Sequence, residues 1–470
     1  MRGHTFAQLL GSWNTGEWSS RRLHEAVRQL LLDGRLPPGT RLPAERELAE
    51  ALGASRTLVG SALERLRADG FVTKRRGAGS WVRLPGGEAA PVGGWFPSEG
   101  PALVNLAQAT PAAPPELFEA ADAARVRFVD HADSHGYQPH GLRDLRESVA
   151  ERFTRRGLPT SRDQILITNG AQHAFALVLR TMVAPGERVL VEQPTYPNAT
   201  EAIRGAHAQP APVPLLDDGW DLELVEATLN QRSPRLAYLI PDFQNPTGAR
   251  MSGRDRQRLA LALRRNHTVA VVDETLVDID LSAHEAPPPV ASFDEKHVIT
   301  IGSAAKSCWG GMRLGWVRAS EEFVRCMVHG RASVDLGSPV FEQLVLTELL
   351  RDGERLLRRR RAEWARRRDF LVEELRRQCP QWSCRVPDGG LSLWCDLGAP
   401  IGDRLAVAAE QHGVRLAPGS RFAVQGSLQH YARVPYTLPE EQLRDAVSKL
   451  ALACAAVGDA TPREWEGLVT

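Results

Sequence analysis

Five short apolar runs, each followed by a polar or aromatic cluster, set the strongest limit on how this chain folds. QILIT (164–168) leads into Asn169-Gly170-Ala171-Gln172, and RVLVEQ (188–193) into Pro194-Thr195-Tyr196-Pro197. LAYLI (236–240) leads into PDFQNPTG, TVAVV (268–272) into Asp273-Glu274, and VITIG (298–302) into Ser303 and Lys306. Buried runs of this length alternating with helical patterns predict an α/β domain with a mostly parallel sheet. In an open sheet of that kind, ligands sit outside the carboxyl ends of the strands. The five clusters therefore converge on one edge, where chemistry is expected.

That edge receives an assortment. Gly170-Ala171-Gln172 opens a helix, and its free N–H groups and positive end suit a phosphate. Arg313 and the Ser303 hydroxyl add a charged fork and a donor for the same anion. Tyr196 offers an aromatic face, Asn245 a hydrogen bond at a ring's edge, and Asp273 a carboxylate able to keep a ring nitrogen protonated. Lys306 lies in GSAAKSCWGGMRLGW (302–316), a run almost without charge. Of 58 basic residues only four are lysines, at 74, 296, 306 and 449. So strong a bias puts arginine wherever charge alone is needed, so Lys306 reads as chosen for its primary amine. Singly, each signal has a structural explanation, since NPTG is a good turn anywhere and Asp273 is a possible helix cap. Their order and common placement describe pyridoxal phosphate, with Lys306 as its Schiff-base partner.

The first 83 residues differ in charge from the rest, with 14 Lys and Arg against 8 Asp and Glu, where the remainder has 44 against 49. A basic head on an acidic body points to a polyanion partner. Residues 23–82 parse as three helices and a hairpin. The first helix runs to about Asp33 before Gly34 and Pro37-Pro38-Gly39, and the second starts near Pro43 and stops at Gly53. Ser55 caps a third that buries Val59, Leu63 and Leu66 and turns Arg56, Thr57, Gly60 and Ser61 outward. A short turn between two helices, the second led by Ser-Arg-Thr, is a helix-turn-helix layout. FVTKRRGAGSWV then forms a wing around Gly77 and Gly79. Gly60 costs about 1 kcal/mol of helix propensity, which close approach to DNA or a tight helix crossing would explain.

With 470 residues, 43% of them hydrophobic, the chain has material for two or three packed domains. No apolar run reaches membrane-span length and the N-terminus lacks a signal-peptide core, which sets the expectation of a soluble cytoplasmic protein. The cysteines at 308, 326, 379, 384, 395 and 454 have no zinc-site spacing and read as reduced and structural, so no metal is expected. Cys379 and Cys384 bracket a short turn and could meet, but the reduced state is the expectation over a disulfide between them. The Arg-rich stretch 351–377 reads as a long solvated helix joining two subdomains, with a second DNA contact as the alternative. The expected boundaries are a leader at 1–20, a winged helix-turn-helix at 21–83, a Gly/Pro/Ala-rich linker at 84–102, and the body at 103–470.

LPAERELAE followed by SRTLV resembles the GntR-type winged helix over some sixty residues. That resemblance implies that Arg46, Ser55, Arg56 and Thr57 touch DNA, with Gly77 and Gly79 letting the wing approach the minor groove; the side-chain contact the family can make at position 60 is missing here. Residues 103–470 resemble the fold type I aminotransferases through TNGAQ, PTYP, NPTG, VVDE and SAAKSCWGGMRLGW. By this resemblance Tyr137, in GYQPHGLRDLR, reaches the phosphate of a neighbouring subunit, which requires a homodimer. Arg433, in HYARVPYTLPEEQL, would grip an effector's α-carboxylate, a bidentate task suited to a guanidinium. One departure is that DETLVD has Thr275 and Leu276 where those enzymes carry a tyrosine for the cofactor's phenolic oxygen. A head and body so joined resemble the MocR/GabR-type bacterial transcription regulators. The resemblance implies a head-to-tail homodimer that binds pyridoxal phosphate and double-stranded operator DNA, and senses an amine, an amino acid or the cofactor itself, with transamination weak or absent. The alternative is an active aminotransferase carrying a DNA-binding domain.

Overall fold

A computed structural model describes residues 3–11, 13, 18–32, 36, 40–75, 79–82, 103–217, 219–424 and 428–458. The chain divides into two compact units, Met1–Ala102 and Leu103–Thr470. The expected linker at 84–102, the Pro37-Pro38-Gly39 turn, Arg76 and Gly77 lie outside the described residues.

In the first unit, helices α1 (Gly3–Leu10), α2 (Ser20–Leu32), α3 (Glu45–Leu52) and α4 (Arg56–Ala68) precede strands β1 (Val72–Arg75) and β2 (Gly79–Val82). The two strands pair antiparallel with Thr73 opposite Trp81. α3 begins at Glu45, two residues after the expected start at Pro43. The cause is the wing: Leu42 N–H donates to Ser80 O and Val82 N–H to Thr40 O, which keeps residues 40–42 extended. Gly53 ends α3 in the left-handed region at φ 63°, and the Ser55 hydroxyl accepts the Leu58 N–H at 3.2 Å to start α4.

The stretch 1–20, expected as a separate leader, is part of this unit. Phe6 on α1 is 1% exposed and lies in one core with Leu23, Val27, Leu48, Val59 and Leu66. The Gly3 N–H donates to Glu47 Oε1 at 2.6 Å, tying α1 to α3. The sequence signal is the apolar set Phe6, Leu9 and Leu10 at helical spacing.

The second unit is built on an eight-stranded sheet: β3 (Ile165–Thr168), β4 (Arg188–Gln193), β5 (Gln209–Leu216), β6 (Gly219–Trp220), β7 (Leu236–Leu239), β8 (Val269–Asp273), β9 (Val298–Ser303) and β10 (Gly315–Arg318), in the order β3-β10-β9-β8-β7-β4-β5-β6. β9, β8, β7, β4 and β5 run parallel in turn, whereas β10 and β6 oppose their neighbours. Alternate residues feed two cores. Ile165, Ile167, Leu190, Ala237 and Val272 pack on one face, and Leu166, Val189, Val191, Tyr238 and Val271 on the other. With helices over both faces, the strands are apolar throughout, which is why they read as continuous runs.

A smaller sheet holds β11 (Ser383–Cys384), β12 (Ser392–Asp396), β13 (Ala417–Pro418) and β14 (Tyr431–Pro435), in the order β11-β12-β14-β13. The helix Gly353–Gln378 joins the two subdomains, placing Leu356 in a core of the large sheet and Trp364, Leu371 and Leu375 in that of the small one. Many of its arginines are engaged locally: Arg359 with Glu116, Arg361 with Glu354, Arg366 with Glu440 and Arg377 with Glu374. Among the described residues, no helix is long and apolar enough to cross a membrane.

Replacing Phe6 with Ala is expected to destabilise the first unit by about 3 kcal/mol, the loss typical of emptying a fully buried aromatic site. Denaturant unfolding of the full chain, followed by head tryptophan fluorescence, checks this. A loss below about 1 kcal/mol would put α1 outside the core.

Candidate functional site

Two surfaces carry chemistry. In the first unit, Arg46 on α3 and Ser55, Arg56 and Thr57 at the start of α4 are exposed. Neither Arg46 nor Arg56 makes an ion pair among the described residues, whereas Arg67 is bound by Glu45 and Arg21 by Glu25. Two unneutralised guanidiniums beside a helix N-terminus form an anion-seeking face. A Cβ at Gly60 would meet only Glu45 Oε2, at 3.9 Å, so a tight helix crossing is not its reason. Gly79, at φ 94°, lies exposed at the start of β2, where a Cβ would press on Arg41 Nε at 3.3 Å.

In the second unit, the carboxyl ends of the strands gather the expected groups. The α-helix Ala171–Met182 starts directly after Gly170, whose φ of 95° turns the chain from β3 into the helix. Gly315 on β10 presses against that start. A Cβ there would lie 2.6 Å from Gly170 C and 2.8 Å from Ala171 N, so only glycine lets the strands close around this helix end. Arg313 stands beside it, donating from Nη2 to Asn169 O at 3.1 Å, and holds a left-handed φ of 52°. Such backbone strain costs about 1 kcal/mol or more and marks a side chain that must be aimed. Arg313 is exposed and has no ion pair among the described residues. A guanidinium at the positive end of a helix is unfavourable unless an anion joins it.

Lys306 lies on a one-turn helix, Ala304–Ser307, that follows β9. Its Nζ donates to Ala109 O at 2.8 Å and to Thr110 Oγ1 at 3.1 Å. Burial pushes its pKa down to about 8, assisted by the charges of Arg433 and Arg313 and opposed by Asp273. Arg433, on β14, donates from Nη1 to Asn245 Oδ1 at 3.1 Å and from Nη2 to Ala107 O, with its guanidinium 4.9 Å from the Phe422 ring centroid. With Asn245 Oδ1 occupied, its Nδ2 is the group left to donate. Tyr196 caps the helix Pro197–Gly205, and its hydroxyl accepts from Asn198 Nδ2 at 2.9 Å. Gln172 Nε2 donates to the same residue's carbonyl at 3.0 Å. Lys306, Asp273, Arg313, Arg433, Tyr196, Asn245 and Gln172 thus belong to one connected cluster.

Two expected groups stand differently. The Ser303 hydroxyl accepts the Ala305 N–H and donates to Leu314 O, both at 3.1 Å, so its hydrogen serves the turn that carries Lys306. Tyr137 is exposed on a surface cavity of about 780 Å³ with Pro139, His329, Arg331, Asp335 and Leu336, whose lining does not include Lys306.

Other contributors escape a reading by residue type. Tyr238, in the buried strand β7, donates its hydroxyl to Asp273 Oδ2 at 2.6 Å, while Thr275 N–H donates to Oδ1 at 2.9 Å. A buried tyrosine needs a polar partner, and that was the available signal. The buried Glu192 accepts from Trp220 Nε1, Ile240 N and Gln244 Nε2, and burial pushes its pKa up to about 7. Gln244 in turn accepts from Thr247, which seats the loop bearing Asn245.

The cluster fits pyridoxal phosphate. The donor set pairs a helix N-terminus and an unneutralised guanidinium, for a phosphate, with a carboxylate and a primary amine, for a ring nitrogen and an aldehyde. The buried hydroxyls of Thr195 and Thr275, beside Tyr196 and Asp273, have no hydrogen-bond partner among the described residues, as expected where a polar ligand belongs.

Residues 103–450 match the family model for aminotransferase class I and II, and residues 19–82 the model for bacterial regulatory proteins of the gntR family. The chain is 31% identical over 366 residues to 2-aminoadipate transaminase of Thermus thermophilus, covering 75% of this chain and 90% of that protein. It is 28% identical over 468 residues to the probable rhizopine catabolism regulatory protein MocR of Rhizobium meliloti, covering 93% and 94%. Among solved structures, LysN of Thermus thermophilus, an alpha-aminoadipate aminotransferase complexed with N-(5'-phosphopyridoxyl)-L-leucine, superimposes with a TM-score of 0.71 at 28% identity, covering 77% of this chain and 94% of that one.

Replacing Tyr238 with Phe keeps the packing against Phe175 and removes one of the two donors to Asp273. The expected cost is about 1.5–3 kcal/mol in unfolding free energy at pH 7, the usual worth of a hydrogen bond to a charged group. Denaturant titration of the second unit's transition measures it, and no change would mean that Asp273 does not depend on that hydroxyl.

Proposed function

The chain belongs to the aminotransferase class I and II family, which is pyridoxal-phosphate dependent, and carries a gntR-family head; from that premise we propose that it is a MocR-type transcription regulator whose body binds the cofactor and senses an amine. The supporting observation is a single chain that joins an anion-seeking helix-turn-helix face to a lysine of lowered basicity flanked by Arg313, Arg433 and Asp273. The head binds operator DNA, which places the protein's work in the cytoplasm. Two copies associate head to tail, each offering Tyr137 to the other's phosphate site, and the paired heads hold two half-sites at once.

Pyridoxal phosphate, when bound, supplies an aldehyde that condenses reversibly with a primary amine. Gly170, Ala171, Gln172 and Arg313 would hold the phosphate, Asp273 the ring nitrogen, Tyr196 a ring face and Asn245 the ring oxygen. Ser303 fixes the turn that presents Lys306. Because Lys306 is less basic than a free lysine, a neutral and nucleophilic fraction exists near physiological pH. Arg433 receives the carboxylate of an amino-acid effector. Turning to a carboxylate would cost Arg433 its bonds to Asn245 Oδ1 and Ala107 O, and the Lys306 amine that would hold the cofactor's aldehyde is the one now donating to Ala109 O and Thr110. Both changes would remove a side-chain donor from the carbonyls of Ala107 and Ala109, just after the chain enters the second unit at Leu103. Ligand occupancy thereby reaches the stretch of chain that leads back to the head, and its differential binding shifts operator affinity.

Leu276 bears on the alternative of an active aminotransferase. Its aliphatic side chain has no hydroxyl to offer the cofactor, and it packs against the small subdomain's core. Steady conversion of an amino acid and a keto acid by the purified protein would overturn the regulator reading. The direct test titrates DNA from beside the protein's own gene with cofactor and a panel of amino acids, for the wild type and Lys306→Ala. The wild-type curves are expected to shift and the variant's to stay put; identical behaviour of the two proteins removes Lys306 from sensing.

Cofactor capture should rise with pH. The neutral fraction of Lys306 grows as pH passes about 8, so the rate of visible absorbance gain on mixing apoprotein with pyridoxal phosphate increases from pH 6.5 to 9 with a midpoint there. A flat profile would contradict the lowered basicity. Arg56→Ala is expected to weaken operator binding by about 1–3 kcal/mol, as for loss of one base or phosphate contact, in fluorescence anisotropy at fixed salt. Unchanged affinity would take the start of α4 out of the interface.

A further inference from the structure

Four of the six cysteines, at 379, 384, 395 and 454, gather in the small subdomain's core, and all six are free thiols. Among the described residues, no group of three or more His, Cys, Asp or Glu is placed to hold a metal ion. From sequence, Cys379 and Cys384 bracket a short turn, with the reduced state as the expectation. The structure instead sets Cys384 on β11 directly opposite Cys395 on β12. Opposed residues of an antiparallel pair lie about 4.5–5.5 Å apart at Cα, inside the range of about 4.4–6.8 Å that a disulfide spans.

We propose that Cys384 and Cys395 form a redox-active dithiol, a modification site that a hydroperoxide converts into a reversible intramolecular disulfide. β11 is the edge strand of its sheet, and Cys384 is only partly buried, so a small water-borne oxidant reaches it. Cys395 is fully buried, so an oxidant meets Cys384 first. The two thiols are unequal. The neighbouring Cys395 thiol, with the positive charge of Arg376 assisting, holds the Cys384 thiol below its ordinary value. The same pairing and burial hold Cys395 well above its own. A thiolate is the nucleophile, so the accessible sulfur is also the reactive one.

The Cys384 thiolate attacks one peroxide oxygen. The O–O bond breaks, hydroxide (or alkoxide) leaves and takes up a proton, and Cys384 becomes a sulfenic acid. The Cys395 sulfur then attacks the Cys384 sulfur. The S–S bond forms as the S–O bond breaks, and the departing hydroxyl leaves as water with the Cys395 proton. Two thiols lose two electrons and hydrogen peroxide is reduced to two waters. A small dithiol reductant reverses the step by exchange.

The test exposes full-length, cofactor-loaded protein to a few equivalents of hydrogen peroxide, blocks remaining thiols by alkylation, and maps peptides by mass spectrometry without reductant. The expected product links Cys384 to Cys395, disappears with dithiothreitol, and forms while the exposed Cys326 is still mostly alkylated. Cys395→Ser should give no link, and a sulfenic acid at Cys384 that dimedone traps. Cys384→Ser should leave Cys395 a thiol. Recovery of both thiols in the wild type after Cys326 has oxidised, or a link from Cys384 to Cys379, would overturn the proposal.

Discussion

The second unit is organised around a shortage of negative charge. Lys306 feels Arg433 and Arg313 on one side of the balance and Asp273 on the other. Three cations near one carboxylate at a sheet edge are unfavourable by Coulomb's law at any plausible dielectric. The protein offsets part of this by giving the cations backbone oxygens: Ala107 O for Arg433, Ala109 O for Lys306 and Asn169 O for Arg313. Carbonyls are weaker partners than anions, so an anionic ligand would compete with them for these cations. On the reading proposed above, the carbonyls of Ala107 and Ala109 are the groups that would respond to occupancy.

Asp273 is held with matching care. Tyr238 and Thr275 N–H occupy its two oxygens, and the next residue, Glu274, pairs with Arg156 at 2.5 Å. Further along the same exit, the Asp278 carboxylate accepts two hydrogen bonds from Arg152 Nη2, at 2.6 and 2.7 Å. Burial of such pairs costs desolvation, and their geometry must be good to offset it. The result is a rigid exit from β8. Within it, Leu276 packs against the small subdomain's core and adds apolar contact there.

Much of this was legible because it rests on residue type and period. Five strands, β3, β4, β7, β8 and β9, appear within about a residue of their apolar runs, since strands covered on both faces need no alternation to be seen. The nearness of Lys306 and Asp273 follows from their place at strand ends, whereas Arg433 lies within β14 and was expected only from the family resemblance. What could not be read is carried by backbone. Nothing in the letters at 107 and 109, both alanine, announces that their carbonyls hold an arginine and a lysine from far along the chain. Ser303 illustrates the converse, a hydroxyl of suitable type whose hydrogen the local turn already claims. The start of α3 was displaced by pairing with a wing well downstream, a contact that no local propensity encodes.

The arginine bias itself has a structural use. On the helix Gly353–Gln378, Arg360 reaches Cys308 O and Ala112 O, Arg361 reaches Asp278 O, Arg367 reaches Thr437 O and Arg368 reaches Pro387 O. A planar guanidinium with five donors can satisfy a carbonyl and a carboxylate together, as Arg361 does with Asp278 O and Glu354, where an ammonium acts as a point charge. Arginines therefore act as struts between the long helix and both subdomains, which accounts for a charge-dense helix without invoking a second nucleic-acid surface. A guanidinium stays protonated inside proteins and cannot serve as a nucleophile. In a chain that otherwise uses arginine for almost every cation, the proposed role of Lys306, forming and breaking a bond to carbon, is one from which that substitution is chemically closed.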